Sequence, residues 1–588
     1  MQPKHRPIIL CCLMLLFIQI AQAQSIDGSS NSDTTSGENY AMIVGISNYK
    51  YIRPLTYADK DAELFRDFLK SPGGGSMSPD NMFLLLNEEA QAGNFWAKGF
   101  AWLRSKNLKK GDRLYMYFAG HGDAISAAEY FFLTYECNPA GDKNNYLAGG
   151  NIQLYNVKNR IAEQVNNGVE VLLIMDACRS NELPGGNEGQ QWLNAAISEK
   201  KTGEIIMLAT GAGQESLEDA SIGTGHGLFT YYLVDGLSGF ADKDGNNNSI
   251  ITLEELSAYI NKNVPVIAQE KYNRKQEPFI CCDEKKADEI AIVDSAFSHH
   301  WSLVKQLNDG SANELQSMAY RNATGRSLQT GILDTTYNAN YYLFSNAIKQ
   351  ANLVENDSSA ATYLSTLSQI EPDHYITKEA KAALAAALIN YAQTKINLYL
   401  QGKDALAIQQ IRTQLDDSDD EHAFEKTVAR LEKIARQNFA ETGKILLQGM
   451  SYLDASDSVF AKSLQAKVHF FEAHGFFDKG NQTMDYVQAL QYARVSNQLD
   501  SNAAYTSNTL SSLFIQNKQP DSAIYYARQA INRAPNWRYP YLNMAYAYSK
   551  INKRDSALPY YLKALEIDST NADVYVDLGR FYYQWREM

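Results

Sequence analysis

Two stretches decide the fold. Leu114-Tyr115-Met116-Tyr117-Phe118 runs into Ala119-Gly120-His121-Gly122-Asp123, and Val171-Leu172-Leu173-Ile174-Met175 runs into Asp176-Ala177-Cys178-Arg179-Ser180. Each begins as a short apolar run of the kind that forms a strand buried on both faces. Similar runs occur at Ala41–Ile46, Met82–Leu86, Tyr130–Thr134 and Ile205–Leu208. Amphipathic stretches lie between several of them, such as Leu55, Ala58, Ala62, Phe65 and Leu69 at helical spacing. Strands alternating with helices predict an α/β domain with a mostly parallel sheet over residues 39–285. Ligands of such sheets bind at the carboxyl ends of the strands. His121 and Cys178 stand at two such ends.

Working outward, residues 286–464 read as a helical connector without a clean period. Residues 465–588 repeat. Ala489, Ala523 and Ala557 are spaced 34 residues apart, and Leu510, Met544 and Leu578 keep the same step. A helix–turn–helix period of this length, with small residues at the crossings, resembles tetratricopeptide repeats. Such repeats imply a surface for a protein partner.

At the other end, Lys4 and Arg6 precede an apolar run from Ile8 to Ala21 and the triplet Ala21-Gln22-Ala23. This pattern predicts a signal peptide over residues 1–23, followed by a polar linker over 24–38. The protein is therefore expected to be exported, to a periplasm or beyond, with no membrane span after processing. The 588 residues carry 54 Lys+Arg and 67 Asp+Glu, a net charge of -13. Removing Lys4 and Arg6 leaves 52 basic against 67 acidic residues, a charge of -15. This acidity disfavours a nucleic-acid partner. Four cysteines remain after residue 23, too few for a disulfide scaffold.

The chemistry is expected between His121 and Cys178. A lone Cys after a strand is usually a small buried hydrophobe, and a lone His is usually structural. The pair is more telling, because residues 39–285 hold only two histidines and four cysteines. A thiol beside an imidazole suits nucleophilic acyl transfer, with Gly122 and the amide of Cys178 as oxyanion donors.

Both strand-end blocks, together with YAMIVGISNYKYIRPLTYADKDA and GHGLFTYYLVDGLSG, resemble caspase-like cysteine peptidases of the metacaspase and bacterial type. The resemblance covers about 40–270. It implies a Cys-type endopeptidase with His121 as base and Cys178 as nucleophile. His226, also followed by glycine, lies where the family has no base. The segment around Asp61 resembles one whose Asp lines the S1 pocket, although Ala58 stands where the family has Cys. If Asp61 and Asp176 converge, the pocket favours a substrate with Arg or Lys at P1 through charge-assisted hydrogen bonds. The dibasic Lys200-Lys201 is then a candidate self-cleavage point. The competing reading is a catalytically inactive scaffold that works through its repeats.

The chemistry itself requires no cofactor. Calcium is the one candidate ion, at Asp242, Asp244, Asn246, Asn248 and Glu254, although the Gly and Glu of a calcium loop fall out of step there. The other reading of this segment is a polar turn before a helix capped by Thr252 and Glu255.

Overall fold

The computed structural model describes residues 37–126, 129–179, 203–211, 214–281, 288–308, 335–354, 356–402, 438–454, 458–475 and 483–584. The apolar runs form the centre of a mixed, mostly parallel sheet. Its strands are β1 (Asn39–Gly45), β2 (Met82–Leu86), β3 (Arg113–Ser126), β4 (Glu129–Leu133), β5 (Asn151–Gln153), β6 (Glu170–Arg179), β7 (Glu204–Leu208) and, further along the chain, Phe279–Ile280. The strand Phe279–Ile280 joins β7 at one edge, and the order continues β7-β6-β3-β1-β2. The β2·β1, β1·β3, β3·β6 and β6·β7 pairs are parallel. Phe279–Ile280 joins antiparallel, as do β4 and β5.

Ile43, Leu114, Tyr117 and Val171 are wholly buried, as expected of central strands covered on both faces. Helix α1 (Ala58–Lys70) lies over β1 and β3. Its buried stripe is Ala58, Asp61, Ala62, Phe65, Phe68 and Leu69. Phe65 stacks on Tyr117 with ring centroids 4.7 Å apart. One carboxylate, Asp61, therefore sits in an otherwise apolar stripe.

The long strand β3 changes neighbours along its length. Up to Ala119 it pairs with β1, which stops at Gly45. From Gly122 the same edge is taken by β4. On its other side β6 follows it from Arg113 to Gly122. His121 lies at the gap between β1 and β4. There the hydroxyl of Tyr49 accepts the His121 backbone N–H at 2.7 Å.

An all-helical region follows. Helix α2 (Tyr375–Leu400) is apolar on more than one side, which marks a helix buried from several directions. Ala380, Leu384 and Leu388 join one apolar cluster, and Ile389, Ala392, Ile396 and Leu400 another. Ala385 and Ala386 meet Ala97 of the α/β domain. Helix α3 (Ser458–Gly475) brings Phe460 onto Trp96 of that domain, stacked at 5.6 Å. Six further helices are α4 (Thr483–Leu499), α5 (Ala504–Gln516), α6 (Pro520–Arg533), α7 (Arg538–Lys550), α8 (Arg554–Ile567) and α9 (Ala572–Gln584). Ala489, Ala523 and Ala557 are fully buried where these helices cross, which explains why the period is carried by small residues.

The repeats also grip the rest of the chain. Trp537 Nε1 donates to the Leu400 carbonyl at 3.0 Å, and Arg538 Nη2 donates to that of Gln401 at 2.8 Å. The Asn536 amide donates to Asp142 Oδ2 of the α/β domain at 2.7 Å.

Candidate active site

The parallel register of β3 and β6 makes His121 and Cys178 direct Cα partners, with Gly122 opposite Arg179. Neighbouring strands are about 4.8 Å apart, so the two backbones run side by side at these positions, His121 where β1 gives way to β4 and Cys178 one residue before the end of β6. His121 is buried, 4% exposed. Its Nε2 lies 2.9 Å from the carbonyl oxygen of Arg53. A carbonyl can only accept, so Nε2 carries the proton and Nδ1 carries the lone pair. The Tyr49 ring packs against the imidazole at 4.9 Å.

Glycine is required beside it. A Cβ at Gly120 would lie 2.6 Å from Tyr49 Oη and 3.0 Å from the Phe132 ring. At Gly122 a Cβ would run into the Tyr130 hydroxyl.

A second cluster forms where α1 meets the end of β6. Asp61 Oδ1 lies 3.0 Å from His226 Nδ1, and both Asp61 oxygens accept the Gly227 amide at 3.0 Å. Asp176 Oδ1 accepts from Ser216 Oγ at 2.7 Å. Asp176 Oδ2 accepts from Thr230 Oγ1 at 2.6 Å and from the Thr230 amide at 3.2 Å. Thr230 spends its one hydroxyl proton on Asp176, so the Tyr117 hydroxyl donates to Thr230 Oγ1 across 2.6 Å. Asp61 and Asp176 converge on Gly227, where a Cβ would be 2.8 Å from one carboxylate and 2.9 Å from the other. Burial pushes Asp61 up to about 7. Asp176 adds to the rise, and the hydrogen bonds from His226 and Gly227 oppose it. Burial raises Asp176 too, against its bonds from Thr230 and Ser216. Two buried carboxylates this close to each other hold their charge reluctantly. A cationic group entering between them would favour ionisation of both.

The other expected positions fall elsewhere. Lys200 and Lys201 lie outside the described residues. The segment from Asp242 to Glu254 closes on itself. Asp242 Oδ1 accepts the Asn248 amide at 2.7 Å and Oδ2 that of Ser249 at 3.1 Å, while Asp244 pairs with Lys262 at 2.7 Å. Thr252 and Glu255 form a capping box for the helix Leu253–Tyr272. Among the described residues no three His, Cys, Asp or Glu side chains are grouped to hold a metal. Of the residues Asp242, Asp244, Asn246, Asn248 and Glu254, Asp242 thus accepts amides of its own turn and Asp244 pairs with Lys262.

Sequence reasoning missed three members of the site. Arg53 acts through a backbone carbonyl, which leaves no side-chain signature. Ser216 and Thr230 are distant in sequence from Asp176. His226 was set aside as a base, and its pairing with Asp61 was not foreseen.

Residues 38–287 match the caspase-domain family model. Residues 540–571 match that of the tetratricopeptide repeat. The chain is also similar to a protein named as a probable protease from a Desulfuromonadales bacterium, 28% identical over 218 residues. That match takes in 34% of this chain and 26% of the relative, so the chain spans about a quarter of the length of that protein. Among solved structures, pro-sf-caspase-1 is 14% identical, with 42% of this chain and 91% of that one covered at a TM-score of 0.25. A Geobacter sulfurreducens protein is 12% identical, with 44% of this chain and 100% of that one covered at a TM-score of 0.29.

Proposed function

We propose that the chain is an exported cysteine endopeptidase that cleaves after Arg or Lys. The observation that carries this reading is the β3·β6 register, which pairs His121 with Cys178 across two neighbouring parallel strands. In the proposed reaction the Cys178 thiol gives its proton to His121 Nδ1, and the thiolate attacks the scissile carbonyl carbon. The Arg53 carbonyl holds the ring in the tautomer that accepts at Nδ1, and it stabilises the imidazolium that forms. The amides of Gly122 and Cys178 receive the oxyanion. The imidazolium then protonates the leaving amine. Water, deprotonated by the same imidazole, releases the acyl group from Cys178.

Asp61 and Asp176 form the proposed S1 floor for the P1 cation. Their convergence at Gly227 supports this, and so does the lack of a Cβ between them. Cleavage of the chain itself after Lys200 or Lys201 follows from the same preference. The repeats are proposed to recruit a protein partner. Turnover of short Arg- or Lys-containing peptides by the full chain, and its loss in Cys178→Ala, tests the reading. A folded chain that turns over no P1 Arg, Lys or Asp peptide and takes no thiol-directed peptide label would instead be a scaffold.

A further inference from the structure

Where the caspase domain meets the helical region lies a partly open cavity of about 390 Å³. This volume is near the small end for ligand sites, roughly 300–1,000 Å³. One part of its wall is apolar, with Trp96, Phe131 and Phe460, and another is polar, with Gln393, Lys467 and Asp500. The cavity is separate from the His121–Cys178 pair, none of whose residues line it.

Lys467 is the telling residue. It lies on α3, it is 4% exposed, and its Nζ donates to Ser463 Oγ at 3.0 Å. Its surroundings are shaped for an ammonium. Gly149, at φ 104°, lacks the Cβ that would come within 2.9 Å of Lys467 Nζ. Burial pushes Lys467 down to about 8. Across the polar wall, Asp500 accepts from the Tyr505 hydroxyl at 3.3 Å. Burial lifts Asp500 to about 6. The two charges influence each other but do not meet as an ion pair. Glu136, also on the wall, is already served by the Ala92 amide and Thr134 Oγ1, each at 2.8 Å.

A buried ammonium whose hydrogen bond goes to a neutral hydroxyl, facing a half-buried carboxylate bonded to Tyr505, is costly to keep charged. A single occupant with a negative end for Lys467 and a positive end for Asp500 relieves both at once. The aromatic wall adds a place for an apolar side chain.

We propose that this cavity binds a small zwitterion, an apolar α-amino acid or a dipeptide, with its carboxylate on Lys467, its ammonium on Asp500 and its side chain against Trp96, Phe131 and Phe460. Such a ligand touches both the caspase domain and the helical region, so it ties one to the other. The inference is independent of the proteolytic reading.

The experiment uses the full chain and three probes, leucine, phenylalanine and the dipeptide Leu-Phe, in calorimetry and thermal unfolding. At least one is expected to bind and to raise the unfolding midpoint by ~3 °C or more at saturation. Its N-acetyl and C-terminal amide derivatives are each expected to bind about 10-fold more weakly or worse, because each removes one charge. Lys467→Met should abolish the preference for the free carboxylate, and Asp500→Asn that for the free ammonium. Failure of all three probes to bind overturns the proposal. So does equal binding of the blocked derivatives, a comparison on the unaltered chain that stands even where a variant does not fold.

Discussion

The caspase domain contains two His-Gly pairs, and they are built for different work. His121 stands within β3 where β1 gives way to β4, and its Nε2 faces a neutral acceptor, the Arg53 carbonyl. His226 follows a Gly-rich loop and directs Nδ1 at a buried carboxylate, Asp61. A carbonyl orients an imidazole and leaves its other nitrogen basic. A buried carboxylate on Nδ1 engages that nitrogen and fixes the ring beside it. The first arrangement suits a base that must take and return a proton. The second suits a residue that holds a pocket carboxylate in place. Two identical dipeptides are thus distinguished by what their rings meet.

The largest expected effect breaks the first pair. Cys178→Ala is expected to abolish peptidase activity, and His121→Ala to lower kcat/KM by about 10³-fold or more, since positioned proton transfer and an activated nucleophile act together. His226→Ala is expected to leave most of kcat, with any loss appearing in KM. Steady-state kinetics on a P1 Arg peptide check this. A His226 variant as dead as the His121 variant would erase the distinction.

Next in size is the pocket. Asp176→Asn is expected to lower kcat/KM for P1 Arg and Lys by about 10²-fold, a loss of about 2.7 kcal/mol in transition-state binding. A P1 Leu substrate should change little. A profile that prefers P1 Asp in the unaltered enzyme would remove the basis for this pocket.

A smaller effect is expected with pH. Asp61 in the free enzyme ionises near 7, so the form that welcomes a cation prevails above that pH and is lost as pH falls through it. The ratio of kcat/KM for P1 Arg to that for P1 Leu should therefore drop between pH 7.5 and 5.5, by at most about 10-fold per unit. The ratio cancels the titration of His121, which both substrates share. A ratio flat over this range would contradict the carboxylate's part.

The smallest effect sharpens the second pair. The His226 ring holds Asp61 below the value that burial alone would set. His226→Phe should move the midpoint of that same ratio upward by a fraction of a pH unit or more. A downward move would mean that the ring does not support the ionised carboxylate.

Much of this was legible in the sequence, for particular reasons. The runs before His121 and Cys178 are apolar because β3 and β6 are covered on both faces, so the strands announce themselves. Ala489, Ala523 and Ala557 show the repeat because only a small side chain fits where helices cross. Asp61 was visible as a carboxylate in the stripe Ala58, Ala62, Phe65 and Leu69, although the stripe could not say what the carboxylate meets. The rest depends on contacts far apart in the chain. Asp61 and His226 are separated by 165 positions, and the Arg53 carbonyl belongs to a backbone that any residue could supply. The antiparallel addition of β4 beside His121 was equally hidden, since Tyr130–Thr134 reads the same in either direction. In the loop from Asp242, polar side chains that cap a turn are the same types that bind ions, so residue types alone do not separate the two readings.

In the proposed reaction Cys178, activated by His121, attacks a substrate held by its P1 cation. The most direct measurement is covalent labelling of the full chain with a thiol-reactive peptide ketone bearing P1 Arg, read by intact mass and peptide mapping. The expected result is one adduct on Cys178, much slowed in His121→Ala and in Asp176→Asn, and not formed by the P1 Asp analogue. An adduct on Cys137, or labelling of Cys178 that ignores both His121 and the P1 residue, would contradict the account.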